Sequence, residues 1–343
     1  MALCYGSGKA TLLIEPLVKV QYPFWRAYPF RVRLPFAAWL GIARPFALEN
    51  DFVLVGVVGV KSRSGAAFIE YIRRHEPDIA YRGFARECDT HVEDPNVVCV
   101  ARYDAIPAEA LSGCDAIINF VGSVTASSSE ELWAVNVAVP RSLTAIASEA
   151  RIPHLIQMSS LSLHGPLHLI GSGAPLKPTT DYGRSKLAAE RAIIEHRQSD
   201  LVVTLLRVPT IYGRRTPSKL EKLVAIMRRL PIFPAPAPLP RRSVISHENL
   251  ARFLVHLLRE RPDGVVYGAD PDPFTLDMLA QVLPNRPRIV HLPAALFRPL
   301  RTIAPGAYAS LYEPGEIGEA LLLRPPGLIT TLAALRSAFG SAR

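Results

Sequence analysis

Five polar side chains near the middle of the chain have types and spacing that suit proton transfer. Tyr182 and Lys186 stand four residues apart in TDYGRSKLAAERAIIEHR, so a helix would place the phenol and the ammonium on one face. A nearby positive charge lowers the pKa of a tyrosine towards the working pH, as a phenolic acid or base requires. Upstream, IQMSSLSLHG places Ser159, Ser160 and Ser162 at the end of an apolar run. The Tyr–Lys spacing alone also fits a surface pair, and Ser159 and Ser162 also fit turn residues.

These side chains belong to an alternation of strands and helices that begins at residue 51. Strand patterns occur in FVLVGVV, DIAYRGFAR, NVVCVAR, DAIINFVG, HLIQMSS and LVVTLLRVP, with helical spacing between most of them. The alternation predicts an α/β fold with a Rossmann-type doubly wound parallel sheet, which binds ligands beyond the carboxyl ends of its strands. The long helix around WAVNVAVPRSL is expected to break near Pro140. The strand ends therefore place the serine hydroxyls where a ligand would bind.

The predicted organisation has three parts. Residues 1–50 form an N-terminal extension, and residues 51–208 form the Rossmann domain. Residues 209–343 form a smaller, mainly substrate-binding C-terminal region, because the regularity weakens after Pro209. Within that region PIFPAPAPLP predicts a rigid, extended spacer.

The composition limits the partners. With 39 Lys and Arg against 30 Asp and Glu, the chain favours an anionic partner such as a phosphorylated ligand. The basic residues occur only in short pairs without a recognition motif, so no nucleic-acid role is predicted. The cysteines at 4, 88, 99 and 114 lack the spacing of zinc or redox sites. They predict reduced thiols in a cytoplasmic protein and no metal site.

Membrane association has two readings. No apolar stretch reaches the roughly 18 to 20 residues of a membrane-spanning helix, and the first ten residues lack a signal-peptide layout. No transmembrane segment is therefore predicted. The aromatic and proline-rich residues 1–50 fit either a loosely packed extension or a surface for peripheral membrane contact.

From about residue 52 to about residue 280 the chain resembles the extended short-chain dehydrogenase/reductase superfamily, which includes nucleotide-sugar epimerases, dehydratases and reductases. Tyr182 and Lys186 match its Tyr-x-x-x-Lys pair. The catalytic Ser or Thr of the family stands five residues before a glycine, and Gly165 selects Ser160. Asn136 in WAVNVAV matches the Asn that opens the central helix, and LLRVPTIYG looks like the Arg-x-Pro-x-x-x-Tyr-Gly element. The order of these motifs makes the resemblance specific.

The resemblance implies a role for each of these residues. Tyr182 would exchange a proton with a sugar hydroxyl or ketone, and Ser160 would hydrogen-bond the same oxygen. Lys186 would hold the nicotinamide ribose and depress the pKa of the tyrosine. Asn136 would belong to the cofactor site. Arg242, in LPRRSVISHENLARFL, would take the position where an arginine of the family meets the substrate diphosphate. A guanidinium group suits this role because it can donate two hydrogen bonds to phosphate oxygens. The alternative is that Arg242 is a surface arginine.

The phosphate-binding turn departs from the family pattern Gly-x-x-Gly-x-x-Gly. Gly56 and Gly59 keep the first interval, but position 62 is serine. Gly65 is followed by the small and apolar residues that normally follow the third glycine. The spacing therefore predicts a three-residue insertion between Gly59 and Gly65, with all three glycines contributing to cofactor binding. The alternative is that the insertion spoils the turn.

Charges near this turn bear on the choice of cofactor. Lys61 and Arg63 add positive charge where phosphates should lie. Arg86 stands at or beside the end of the second strand, where NAD-preferring relatives usually carry an acidic residue, so the sequence leans towards NADP over NAD, although Glu87 follows immediately. Asp104 matches a family position that contacts adenine, with a structural turn role as its alternative.

Three functions stay open at this stage. The first is a reductase acting at C4 of a nucleotide-linked 4-keto sugar of UDP-HexNAc type in surface-polysaccharide synthesis. It rests on the resemblance of LVAIMRRLPIFPAPAPLPRRSVISHENL to UDP-N-acetylquinovosamine-forming reductases of O-antigen pathways. The second is a UDP-sugar 4-epimerase, and the third a non-catalytic dinucleotide-binding scaffold. A homodimer is also open, and a dehydratase is disfavoured because SSLSLHG lacks an acidic residue.

Overall fold

The computed structural model describes residues 52–86, 94–124, 126, 128–213, 219–304, 308, 312 and 315–340. The extension predicted over residues 1–50 lies outside these residues. In the described part the strands are, in chain order, β1 (Val53–Val58), β2 (Ile79–Arg86), β3 (Val97–Val100), β4 (Ala116–Asn119), β5 (His154–Ser160), β6 (Leu169–Ile170), β7 (Val202–Val208), β8 (Thr210–Tyr212), β9 (Ile232–Ala237), β10 (Val244–Ser246), β11 (Gly264–Tyr267), β12 (Arg288–Pro293) and β13 (Glu316–Ile317).

Helices separate most of these strands. The α-helices in the same part of the chain are α1 (Arg63–His75), α2 (Ala108–Leu111), α3 (Ser129–Trp133), α4 (Val139–Glu149), α5 (Asp181–His196), α6 (Lys219–Met227), α7 (His247–Glu260), α8 (Leu276–Val282), α9 (Arg298–Ile303) and α10 (Thr331–Phe339). Short 3₁₀ turns cover Tyr103–Ala105, Leu161–His164, Ala294–Phe297 and Glu319–Leu321.

Seven parallel strands form the central sheet in the order β11-β7-β5-β4-β1-β2-β3. Both of its faces are covered, because the strands are almost wholly apolar and must be buried on both sides. Helices α1 and α7 pack on one face through residues such as Phe68 and Leu254. Helices α4 and α5 pack on the other through residues such as Leu143 and Ile193. The predicted Rossmann-type fold is confirmed.

The C-terminal part of the chain contributes to this core as well as to a region of its own. Helix α7 and strand β11 belong to the three-layer core, and β11 pairs with β7 in parallel. A separate apolar cluster contains Phe233, Leu279, Leu335 and their neighbours. The division of the chain at residues 208 and 209 stays a prediction.

Two local expectations need correction. The segment 231–240 is not a spacer, because it forms β9, which pairs in parallel with β12 from Ile232 opposite Arg288 to Ala237 opposite Pro293. Prolines are tolerated on such edge strands because their missing N–H faces away from the ladder. The long central helix does not break at Pro140; instead a π turn at Ala134–Ala138 joins α3 to α4, and the proline falls in the first turn of α4.

The cysteines also differ from expectation in part. Cys114 is a buried free thiol. Cys99 lies exposed on the edge strand β3 and is disulfide-bonded. The prediction of a reduced thiol is therefore wrong for Cys99, because an exposed edge position is open to a second cysteine. Cys4 and Cys88 lie outside the described residues.

Candidate active site

The candidate site lies where the carboxyl end of β5 meets the first turn of α5. Ser160 is the last residue of β5. Thr180 caps α5, since its side-chain oxygen accepts a hydrogen bond of 3.0 Å from a backbone N–H of the first turn. The helix then places Tyr182 and Lys186 one turn apart on one face. The predicted helical spacing of this pair is confirmed, and the fold brings Ser160 to it.

The Ser160 hydroxyl lies near the phenol of Tyr182 and acts on its pKa as a hydrogen-bonding neighbour. Ser162 supports Ser160, because its hydroxyl and its backbone N–H donate to the Ser160 Oγ at 3.0 and 3.2 Å. Burial raises the pKa of Tyr182 above its ordinary value of 10.0, and the Ser160 hydroxyl opposes that rise. The phenol therefore keeps its proton at neutral pH.

This raised pKa is opposite to the lowering that the Tyr–Lys spacing predicted for Tyr182. The physical reason is that burial raises the pKa by more than the Ser160 hydroxyl lowers it. The Nζ of Lys186 lies 5.9 Å from the centre of the Tyr182 ring, and it donates its hydrogen bond to the backbone oxygen of Met158 at 3.1 Å.

Lys186 is itself buried, with 4 % of its surface exposed. Burial lowers the pKa of its ammonium from 10.5 to about 8, although Glu190 acts in the opposite direction. Gly122, just beyond β4, leaves the room that the side chain needs, because a β-carbon there would stand 3.1 Å from Nζ. A weakly basic, poorly solvated ammonium is thus held beside the phenol.

Asn136 connects the loop after β4 to α5. Its side chain accepts a hydrogen bond from the backbone N–H of Ser123 and donates to the backbone oxygen of the same residue, both at 2.8 Å. It also donates to the hydroxyl of Ser185 at 2.9 Å. Asn136 is fully buried in the π turn, so these bonds have little solvent competition. A direct contact with a cofactor stays a prediction.

The phosphate-binding turn begins at Gly59, one glycine later than its spacing suggested. Strand β1 ends at Val58 and α1 begins at Arg63. Gly59 has a φ of +88°, which favours glycine. Ser62 is the N-cap of α1, and its Oγ accepts a hydrogen bond of 3.0 Å from the backbone N–H of Gly65. The turn therefore reads Gly59-x-x-Ser62-x-x-Gly65.

The predicted three-residue insertion is therefore wrong. Gly56 lies inside β1, opposite Arg82 of β2. A β-carbon on Gly56 would meet the side chain of Leu111 at 2.6 Å, so this glycine serves the packing of the sheet. Gly65 has the close approach that the turn requires, since a β-carbon there would stand 2.6 Å from the backbone oxygen of Gly59. Serine stands where the family pattern has its second glycine.

The arginines of β2 have different surroundings. Arg86 lies exposed at the carboxyl end of the strand, where its backbone N–H donates to the Tyr103 hydroxyl at 3.1 Å. The side chain of Arg82 instead donates to the backbone oxygens of Ala110 and Ser112 at 2.8 and 3.0 Å. Of the two, only Arg86 stands at the ligand-binding edge of the sheet, and its contact with a cofactor stays a prediction.

Asp104 lies in the 3₁₀ turn after β3 and is paired with Arg102. The guanidinium Nε donates to the Asp104 Oδ1 at 2.9 Å. Arg102 holds the pKa of the Asp104 carboxyl below its usual range through this hydrogen bond. Asp104 thus has the structural role in the turn that was the alternative to adenine binding, and its contact with adenine stays a prediction.

Arg242 and its neighbour Arg241 face different surroundings in the C-terminal region. Arg241 is exposed and forms two hydrogen bonds of 3.0 Å with the carboxylate of Glu316. Arg242 is half-buried, and its backbone exchanges hydrogen bonds of 3.1 and 2.7 Å with that of Phe274. Arg242 is thus set deeper than the surface arginine beside it. Its contact with a diphosphate stays a prediction.

A buried polar network behind the site was not predicted. Ser159 donates to the carboxylate of Glu190. Arg207 donates to the two oxygens of that carboxylate at 3.1 and 2.7 Å, and to the hydroxyl of Tyr267 at 2.8 Å. The same hydroxyl lies 2.9 Å from the Nε2 of His164. The network therefore joins β5, α5, β7, β11 and the turn after Ser160.

A local signal could have found part of this network. Glu190 follows Lys186 by four residues, so both lie on one face of α5. The pairing of Glu190 with Arg207 has no such signal, because the two residues belong to elements that only the tertiary fold brings together.

The family model described as "NAD dependent epimerase/dehydratase family" matches residues 55–268. The chain belongs to this family. It is an enzyme of the extended short-chain dehydrogenase/reductase type, as the motifs around Tyr182 suggested. A curated relative of this epimerase/dehydratase-family chain is the uncharacterized protein y4nL of Sinorhizobium fredii, which is 27 % identical over 177 residues. The match covers 49 % of each protein, so the chain spans about half the length of this relative.

Solved structures of related enzymes share its fold at low identity. They include a UDP-glucuronic acid 4-epimerase from Bacillus cereus in complex with NAD (TM-score 0.61, 12 % identity, 84 % of this chain and 97 % of that one). A dTDP-4-dehydrorhamnose reductase from Clostridium acetobutylicum has a TM-score of 0.60 at 11 % identity over 83 % and 98 %. A human epimerase family protein with NADPH has a TM-score of 0.64 at 16 % identity over 84 % and 99 %.

The residues of this family member fit a dinucleotide at the turn before α1. The positive φ of Gly59 and the tight approach of Gly65 form a cradle that a β-carbon would fill. The turn opens a helix of 13 residues, whose first N–H groups suit a pyrophosphate.

Among the described residues, no helix is long and apolar enough to cross a membrane.

Proposed function

We propose that the protein uses NAD(P)H to reduce the C4 ketone of a nucleotide-linked 4-keto sugar of UDP-HexNAc type, for surface-polysaccharide synthesis. The observation that carries this proposal is the convergence of Tyr182 and Lys186, on one face of α5, with Ser160 at the ligand-binding edge of the sheet. A phenol that keeps its proton is ready to act as an acid, which is what ketone reduction requires.

The chain's own residues supply the proton and the stabilisation of charge. When bound, the nicotinamide cofactor supplies the hydride. Tyr182 donates its proton to the carbonyl oxygen as negative charge develops there, and the Ser160 hydroxyl stabilises the same oxygen. The ammonium of Lys186, buried beside the phenol, stabilises the tyrosinate that forms and holds the cofactor ribose.

The remaining site residues define what is bound. Gly59 and Gly65 admit the pyrophosphate, and Arg86 at the end of β2 favours the 2′-phosphate of NADPH. Arg242, set deeper than Arg241, binds the substrate diphosphate. Asp104 is already paired with Arg102, so its part in adenine binding is through the turn that it shapes.

The test is to incubate purified protein with NADPH and a UDP-linked 4-keto-6-deoxy-N-acetylhexosamine and to follow the loss of reduced-cofactor absorbance. We expect Tyr182→Phe to slow the reaction by about 10²- to 10⁴-fold, while cofactor binding is retained. Tyr71→Phe, at a tyrosine in the later turns of α1, is the matched control. If the wild-type protein did not oxidise NADPH in this assay, the proposal would be overturned.

A UDP-sugar 4-epimerase is the second candidate, because the chain shares its fold with UDP-glucuronic acid 4-epimerase. An epimerase recycles its cofactor, so the protein as purified would carry tightly bound NAD and would invert the substrate without consuming NADPH. Extraction and identification of any bound nucleotide distinguishes the reductase from the epimerase.

A homodimer and a cytoplasmic location stay predictions, which light scattering and cell fractionation would check.

A further inference from the structure

Two segments of the C-terminal region contain all of the chain's excess positive charge. Residues 222–247 contain five Lys and Arg, residues 278–304 contain four, and neither segment contains Asp or Glu. These nine charges equal the net charge of the whole chain, +9. The remaining residues together contain as many Lys and Arg as Asp and Glu, 30 of each, so these two segments are more basic than the chain as a whole.

The fold brings these two segments together. Strands β9 and β12 pair in parallel, with Ile232 opposite Arg288. The backbone N–H of Arg288 donates to the oxygen of Pro231 at 2.9 Å. Asn285 donates to the backbone oxygen of Leu230 at 3.1 Å. Since six strand residues span about 20 Å, the pair forms a ladder of that length, and the turn and helix that follow β12 extend it.

This surface, which we call the basic apolar face, is made of the exposed arginines and aliphatic side chains of these two segments, and Ile232 and Arg288 are directly paired in it. Its arginines, all exposed and without an ion pair among the described residues, are Arg229, Arg286, Arg288, Arg298 and Arg301. Its aliphatic side chains are 37 to 82 % exposed and are Ile226, Leu230, Ile232, Leu296 and Ile303. Exposed aliphatic side chains are unfavourable in water where they are grouped, and such groups mark interaction surfaces, whereas the exposed arginines around them are solvated.

We propose that the basic apolar face docks on an anionic phospholipid surface. Arginines that flank aliphatic side chains suit the membrane interface, where the aliphatic groups enter the acyl boundary and the guanidinium groups reach the headgroup phosphates. Arg286 also lines a cleft together with Arg336, which adds positive charge at this end of the face. The association is peripheral, on the outer side of β9 and β12.

Two other occupants fit this face less well. A second copy of the chain would bring arginine against arginine, because a two-fold contact uses the same patch on both subunits. A nucleic acid would favour aromatic side chains for stacking, whereas the exposed apolar groups of this face are aliphatic and Phe297 is buried.

Vesicle flotation tests the proposal. The full-length protein is mixed with vesicles of phosphatidylcholine alone or of phosphatidylcholine with phosphatidylglycerol, at low and high salt. We expect binding to the anionic vesicles only, weakened by salt. Arg298→Glu with Arg301→Glu should lower the partition coefficient at least about 30-fold, since each arginine near such a surface contributes about fivefold. Leu296→Ser with Ile303→Ser should weaken binding even at low salt.

The matched control is Arg141→Glu with Arg191→Glu, which makes the same change in net charge at two exposed arginines on other helices. Its binding should change by less than about threefold. Circular dichroism melting curves verify that each variant is folded. Absence of wild-type binding to anionic vesicles, or an equal loss in the control, would overturn the proposal. Unchanged binding after the aliphatic replacements would also overturn it and would indicate a polyanion-binding surface.

Discussion

Replacing Lys186 with methionine should stabilise the protein at neutral pH while removing a residue of the site. Lys186 is buried, and its pKa falls from 10.5 to about 8 because burial disfavours the ammonium. At about 1.4 kcal/mol for each pKa unit, the charged form destabilises the folded state by about 3 kcal/mol. Methionine has a similar length and no charge, but it loses the hydrogen bond to Met158, which stabilises by about 1 kcal/mol. The net gain at pH 7 is about 2 kcal/mol.

The pH dependence follows from the direction of the shift. Below pH 8 the lysine is protonated in both the folded and the unfolded chain, so the folded state has the full penalty. Between pH 8 and pH 10.5 the unfolded chain binds a proton that the folded chain does not, so the stability of the wild type rises with pH. Above pH 10.5 the penalty is gone. The advantage of the variant should therefore shrink by about 3 kcal/mol between pH 7 and pH 11.

Urea unfolding of both proteins at the two pH values measures this difference. Other titrating groups are common to both proteins, so they cancel in the comparison. Lys222→Met is the matched control, because Lys222 is exposed and its replacement should give no pH-dependent difference. A stability difference between Lys186→Met and wild type that is the same at pH 7 and pH 11 would refute the reasoning.

Three further predictions concern the surroundings of the site. Glu190→Gln should lower the free energy of unfolding by about 3 to 5 kcal/mol, because it leaves the buried guanidinium of Arg207 without its carboxylate. Glu190→Asp keeps a carboxylate, so it should lose less of this free energy. Equal losses for the two variants in urea unfolding would contradict an ionic role. Gly65→Ala should weaken NADPH binding and destabilise the protein by about 1 to 3 kcal/mol, since its β-carbon would stand 2.6 Å from a backbone oxygen; unchanged titration and melting curves would argue against a tight turn. Replacing Lys61 and Arg63 together with alanine should raise the NADPH dissociation constant, most at low salt, and an unchanged constant would show that these charges merely face solvent.

Local geometry made much of the fold and part of the site predictable. Six strands of the central sheet were visible as apolar runs, because strands buried on both faces contain few polar residues. The Tyr182 and Lys186 pair was visible because residues four apart share a helix face. The place of Ser160 at a strand end was visible as well, whereas its role, which the family resemblance implies, stays a prediction. Strand β11 was missed, since its four residues are too short to give a period.

The beginning of the phosphate-binding turn could not be read from spacing. Gly56 and Gly59 both precede the helix by a plausible distance. Only the length of β1, fixed by its pairing with β2 and β4, shows that Gly56 lies inside the strand. Residue counting favoured an insertion, whereas the register of the sheet requires a turn of ordinary length with Ser62 in it.

The sequence by itself thus determined most of the elements and the candidate side chains of the site, because helix and strand patterns depend on residues close in the chain. The tertiary structure alone decided their electrostatics. The pKa of Tyr182 rises and that of Lys186 falls because distant strands and loops remove water from them. The pairing of Glu190 with Arg207 likewise depends on α5 packing over β7. Burial is a property of the whole packed chain, so no local pattern could have supplied it.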